Sequence, residues 1–302
     1  MIISFCLIVN DQIIYTSSEE DYAVFESVIF SNALLKTISK NKWRLHKIII
    51  NYFNSSESEK ILIHQKYYLD LNLDLLFCVK GNFSEGSKIG YDLLLNFEKD
   101  INVIYPINKL KDMINGIKNA FIQYCDEICI SLEEKYKDRI SDEKDFHEKF
   151  EDQSALLYIG LSNQGLPIIS KLFGLNLIEP DVILDEESLK RKIEFFESTI
   201  SGQLATIHMN ALIRAQIKIN EIQIIIDPEE KHYAFINFTN LGLNDQYILE
   251  LFTMGNPYKS KDFLNMLKNT INNRFECVHK PFIGELKFYS ELKQFLSNLN
   301  FK

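Results

Sequence analysis

The stretch Gly81-Asn82-Phe83-Ser84-Glu85-Gly86-Ser87-Lys88 comes nearest to a ligand-holding motif in this chain. It lies between an apolar, strand-like run and a helix-like one, where a phosphate loop would sit. Such a loop must end Gly-Lys-Ser/Thr, so that the lysine reaches the β- and γ-phosphates and the hydroxyl meets Mg2+. Here the ending is Gly-Ser-Lys. The stretch therefore reads as a turn that caps a helix through Ser84, with only the weak anion affinity of a helix N-terminus. A nucleotide-binding α/β enzyme built on this loop is the least favoured reading of the chain.

The other reactive side chains do not assemble into a pattern. Cys125 and Cys129 stand four apart and share a helical face. Two thiolates begin a metal site, but no second pair stands at zinc-ligand spacing, and Cys277 and His279 are far off. Among Phe121, Ile122 and Ile128 these cysteines read as core. His46, His64, His147, His208, His232 and His279 form no His-Glu-x-x-His cluster, and no Gly-x-Ser-x-Gly elbow is present. The acids Glu19-Glu20-Asp21, Asp185-Glu186-Glu187 and Glu229-Glu230 fall at helix starts and turns, where they complement helix dipoles or solvate loops. Arg44, Arg139, Arg191, Arg214 and Arg274 lie in no loop motif of phosphoryl transfer. Lys190-Arg191-Lys192 reads as a solvated basic spot. The expectation is a chain with no catalytic residues, no metal and no cofactor.

Composition narrows the partners. The chain has 302 residues, 46% of them hydrophobic, and a net charge of −9. That is enough apolar material for about two domains with real cores. Dispersed lysines on an acidic chain leave no footprint for nucleic acid, and at most peripheral association with a membrane. Five scattered cysteines suit a reducing compartment. The N-terminus MIISFCLIVNDQIIYTS has no basic region and alternates as a strand would. No apolar run approaches the ~20 residues of a membrane-spanning helix. The expected location is cytoplasmic.

The elements that must position any site follow from periodicity. Residues 2–9 and Gln12–Thr16 form a hairpin about Asn10-Asp11. Asp21–Lys40, free of Gly and Pro, is a helix. Strands follow at His46–Phe53, Lys60–Leu69 and Leu73–Lys80. A helix runs from Ser84 to about Asp100, and Pro106 opens another, apolar to about Ile130. In 131–153, fourteen of 23 residues are charged with mixed sign, which gives either an exposed helical extension or a solvated linker. The order then returns. A hairpin turns at Asn163-Gln164-Gly165, and a loop from Leu172 to Asp185 leads to a helix over Glu186–Arg214 capped by Asp185. Strands lie at Lys218–Ile226, His232–Asn240 and Tyr247–Met254. Gly255-Asn256-Pro257 breaks the chain before helices at Lys259–Phe275 and Gly284–Leu299.

Faint letter matches accompany the repeated order. They pair Phe25-Glu26-Ser27 with Phe196-Glu197-Ser198, Lys47–Ile50 with Gln223–Ile226, and Glu59-Lys60 with Glu230-Lys231. Leu76-Phe77 and Gly81-Asn82 likewise match Leu251-Phe252 and Gly255-Asn256. Most pairs lie 171 to 176 positions apart. The fold class read here is α+β, as two tandem units. Each is a five-stranded, mostly antiparallel β-β-α-β-β-β-α sheet with packed helices. The domains are 1–130 and 154–302, joined by 131–153.

This order, with a first strand beginning at Met1-Ile2-Ile3, resembles the longin domain of membrane-traffic proteins. The related roadblock domain puts a helix before its first strand. The resemblance covers nearly the whole chain and rests on element order, so no functional residue carries over by matching. It implies a non-catalytic regulatory protein of the kind found in exchange-factor or trafficking complexes. The implied partner is a small Ras-like GTPase or another longin or roadblock protein, in a homo- or heterodimer. The alternative is a structural assembly module with the same fold and no GTPase partner.

The two long helices differ. Leu189, Ile193, Phe196, Ile200, Leu204, Ile207 and Ala211 make one stripe, enough for one sheet face. On the first helix Phe25, Val28, Asn32 and Leu35 lie on one side, with Ala23, Phe30 and Leu34 roughly opposite. A helix apolar all round must be covered twice. Two or three large side chains at ~1.5–3 kcal/mol each make that second cover worth several kcal/mol. It is supplied by a partner, by the second unit or by a closing helix. Ala23, Phe30 and Leu34 are the candidate partner-binding residues.

Overall fold

The computed structural model describes residues 3–39, 42–53, 57–113, 116, 119–146, 150, 154–174, 186–227, 232–243 and 245–301, the side chain of Asn108 excepted. They form an α+β fold of ten strands and seven α-helices. Among them no helix is long and apolar enough to cross a membrane. Two compact units emerge. The first comprises Met1–Ala33, Arg44–Lys149 and Ala211–Ile219, and the second Leu34–Trp43, Phe150–Asn210 and Asn220–Lys302.

In the first unit, β1 (Ser4–Val9) and β2 (Gln12–Thr16) form the hairpin, with Asn10 and Asp11 both at positive φ as its tight turn requires. Helix α1 (Tyr22–Ser39) follows, then β3 (Arg44–Tyr52), β4 (Ser58–Tyr68) and β5 (Leu73–Gly81). The strands lie in the order β2-β1-β5-β4-β3, each antiparallel to its neighbours. Alternation assigns the two faces. Phe5 and Leu7 of β1 and Leu75 and Phe77 of β5 join a core with α2 (Lys88–Ile104) and α4 (Asn119–Ser141). The residues between them, such as Asp74 and Lys80, point the other way and reach α1.

Three sequence expectations shift here. The helix expected from Pro106 to Ile130 is two: α3 (Ile107–Asp112) and α4, with Gly116 in the break. Glycine in a helix interior is unfavourable by about 1 kcal/mol, which disfavours one continuous helix across this stretch. The charged stretch after 131 is helical as far as Ser141, because Leu132, Tyr136 and Ile140 recur every fourth residue and are buried. Ser84 does not cap α2. Ser87 does, accepting from the Gly90 amide at 2.9 Å.

The second unit repeats the plan. It has a hairpin of β6 (Ala155–Asn163) and β7 (Leu166–Leu172), helix α5 (Glu186–Asn210), then β8 (Ile217–Asp227), β9 (His232–Leu241) and β10 (Tyr247–Met254). The order β8-β9-β10-β6-β7 is the first unit's order read from the other end, again antiparallel. Ile159 of β6, with Leu249 and Leu251 of β10, shares a core with α6 (Pro257–Arg274) and α7 (Ser290–Ser297). Gly255-Asn256-Pro257 breaks the chain by starting α6. Asn256 accepts from the amides of Tyr258 and Lys259, and Pro257 sits at the first helical position. The proposed cap Asp185 and most of the loop 172–185 lie outside the described residues.

Candidate functional site

The loop at Gly81–Lys88 is occupied by the protein itself. The Glu143 carboxylate accepts from the amides of Lys88 at 2.9 Å and Ile89 at 3.0 Å, and from the Ser87 hydroxyl. Asp145 accepts from the Glu85 amide at 2.6 Å, and the Phe146 ring lies 4.3 Å from the Lys88 ammonium. Gly86, at φ +64°, leaves no room for a Cβ beside the Phe146 carbonyl. An incoming phosphate would have to displace Glu143 from the donors that serve an anion. Glu143→Ala is expected to destabilise the N-terminus of α2 by about 1–2 kcal/mol. Hydrogen exchange of the amides of 88–90 measures it, and unchanged protection would refute the capping role.

Burial and neighbouring charges set the titration of several of the reactive side chains. Burial pushes the thiols of Cys125 and Cys129 up, Cys129 to about 12, so neither offers a thiolate near neutral pH. His46 is pushed down to about 3 by burial, with Lys47 and His64 adding to it, and it stacks on Tyr91 at 4.6 Å. Burial raises the Glu98 carboxyl, but hydrogen bonds from His64 and Lys66 outweigh it and leave Glu98 below its usual range. Among the described residues no group of three or more His, Cys, Asp or Glu side chains is placed to hold a metal ion. His147 lies outside them.

The remaining candidate is the outward face of α1. Its buried arc carries Val24, Phe25, Val28, Ser31, Asn32, Leu35 and Ile38. Polar groups fix its rotation. Asn32 Nδ2 donates to Asp74 at 2.7 Å and to Asp11 at 3.0 Å, while Gln65 donates to Asn32 Oδ1 at 2.8 Å and Asp74 at 2.9 Å. With that arc seated, Tyr22, Ala23, Glu26, Ile29, Phe30 and Ala33 face outward or lie at the edge.

Of the sequence candidates, Ala23 and Phe30 are half-buried on this edge. Leu34 is 1% exposed, a core residue. Sequence periodicity missed the centre of the face. Glu26 pairs with Arg214 at 3.0 Å, and Arg214 comes from a π-turn, Ala211–Ala215, that ends α5. The turn also carries Ile213, 67% exposed and next in sequence to Arg214, and Tyr22 on α1, one turn before Glu26, is 45% exposed. A π-turn is rare and frequents functional sites. Periodicity predicts a helix from Glu186 to Arg214. The observed α-helix stops at Asn210, and after the π-turn Gln216 takes φ +54°.

This face offers an arginine–carboxylate pair among a tyrosine and aliphatic side chains. Arginine and tyrosine are residue types enriched at the centres of protein–protein contacts. No protein-family model matches this chain, and no curated protein matches it in sequence.

Proposed function

We propose that this chain is a non-catalytic regulatory subunit with two longin-type units, whose α1 face in the first unit docks a small Ras-like GTPase or another longin-type protein. The observation that carries the reading is the face itself: Tyr22 and Ile29 on α1 with Ile213 near the Glu26–Arg214 pair. The common order of hairpin, helix, three strands and helices supports the longin-type assignment. In this reading the chain works in the cytoplasm, at most peripheral to a membrane. It uses no cofactor, and any nucleotide exchange comes from remodelling the GTPase.

The test is binding of the full chain to a panel of purified Ras-like GTPases loaded with a fluorescent GDP analogue, with nucleotide release followed in the same cuvette. Binding by at least one GTPase is expected, weakened at least about tenfold by Tyr22→Asp or Ile29→Asp, a loss of ~1.4 kcal/mol or more. Binding indifferent to both substitutions would remove the α1 face from the reading. No binding across the panel would leave the assembly-module alternative in its place.

A further inference from the structure

We propose that the loop Pro281–Phe288 of the second unit, with the cleft behind it, is a docking surface for a second copy of this chain. Ile283, Leu286 and Phe288 are 69%, 58% and 59% exposed, three large apolar side chains within six residues. Scattered single exposures are ordinary on a soluble surface, but a cluster marks an interaction site. Behind the loop is a cleft of about 470 Å3, walled in part by Phe275 and Tyr289. It gives a protruding side chain somewhere to enter.

Charge selects the occupant. The chain carries −9 overall, so two copies repel at long range unless the contact itself is locally balanced. The cleft is neutral: Arg274, Lys280 and Lys287 stand against Glu276, Glu285 and Glu291. Lys280 and Glu276 already pair at 3.2 Å. Glu285 and Lys287 have no ion-pair partner among the described residues, and they flank Leu286 on either side. A two-fold axis at Leu286 would set Glu285 of each copy against Lys287 of the other and bring the two apolar clusters together. A closed dimer needs this kind of self-complementary patch. A partner of strong single-sign charge would gain nothing from it.

Sedimentation of the full chain across the micromolar range tests the proposal. The wild type is expected to dimerise. Glu285→Lys and Lys287→Glu each create two like-charge contacts per dimer and are expected to weaken it at least about tenfold. The two single variants mixed together are expected to pair with each other, and the double variant to regain wild-type self-association. All these side chains are exposed, so circular dichroism should be unchanged. A wild type that stays monomeric overturns the proposal, including the case in which the loop serves a different protein. A dimer that survives both single charge reversals and Leu286→Asp overturns it as well.

Discussion

The urea midpoint read by Trp43 fluorescence is expected to fall as pH rises from 4.5 to about 8, and Glu250→Gln is expected to remove much of that fall. Glu250 lies in the middle of β10, fully buried, opposite Gly160 of β6 and Phe238 of β9. Ser162 Oγ donates to one carboxyl oxygen at 2.8 Å, and the Tyr158 hydroxyl approaches the other at 3.5 Å. Gly160 leaves the space, since a Cβ there would collide with the Glu250 carboxyl and the Tyr158 hydroxyl. Burial pushes the carboxyl from its ordinary 4.5 up to about 8, and the bonds from Ser162 and Tyr158 only partly oppose it. Over that interval the folded chain holds a proton that the unfolded chain has released. The contribution is complete below 4.5, shrinks by about 1.4 kcal/mol per pH unit, and is gone above the folded value. The whole interval amounts to several kcal/mol. Glutamine keeps the shape without the proton, so the variant should outlast the wild type above pH 8. Trp43, the only tryptophan, packs edge-on against Phe252 at 6.1 Å, two residues from Glu250 on the same strand, and so reports from this region. Parallel pH profiles for wild type and variant would show that Glu250 is not the group responsible.

The sequence carried the architecture well because period-two and period-3.6 patterns are local. Both hairpins, both long helices and all ten strands were legible from them. The charged run after 131 was ambiguous because its apolar residues are sparse, and only the packing of Leu132, Tyr136 and Ile140 decides in favour of helix. The letter matches were less informative than the order. Leu76 was matched with Leu251, yet Leu251 packs toward α6, while Leu76 lies between Leu75 and Phe77, which pack toward α2 and α4. A one-residue slip in a strand reverses the face, so those letters are not equivalent positions. The match of Gly81 with Gly255 sets Leu75 and Phe77 against Leu249 and Leu251, and so keeps both faces consistent.

The candidate site was half legible. Ala23 and Phe30 were visible as apolar residues off the main stripe, but Glu26–Arg214 joins residues far apart in sequence, and no local pattern announces it. The buried acids beneath the helices were equally hidden. Asp74 and Glu250 both resemble the polar half of an alternating strand until Asn32 and Gln65 close on the one and burial encloses the other. The basic pair of the first unit, Lys60 and Lys80, falls at the ends of the expected strands Lys60–Leu69 and Leu73–Lys80, yet both are more than 90% buried.

Lys80→Met is expected to cost about 3–5 kcal/mol and to loosen the start of α1, and with it the face proposed to bind a partner. The Lys80 ammonium, on β5, lies 2.7 Å from Asp21 and 3.2 Å from Glu59, and donates to the Tyr52 hydroxyl at 3.0 Å. Ser4 of β1 also donates to Asp21, whose carbonyl accepts the first helical bond, from the Phe25 amide at 3.0 Å. One buried cation thus ties β1, β5 and the N-terminus of α1 together. Burial alone would lower the Lys80 ammonium, but the bonds to Asp21 and Tyr52 raise it above its ordinary 10.5. Its stabilisation is therefore complete below 10.5 and lost only as pH rises through the higher folded value, so the effect of the substitution should be flat around neutrality. Methionine retains the stem packing, which isolates the loss of charge. Adding Asp21→Asn to Lys80→Met should recover part of the loss, because the orphaned carboxylate is the costly species. Hydrogen exchange over 22–25 is the direct readout, with Lys66→Met, at a side chain 39% exposed, as the control. Faster exchange at α1 in the Lys80 variant alone, together with weaker GTPase binding, is the expected pair of results. Equal exchange in both variants would mean that α1 is held by its apolar arc without this cluster.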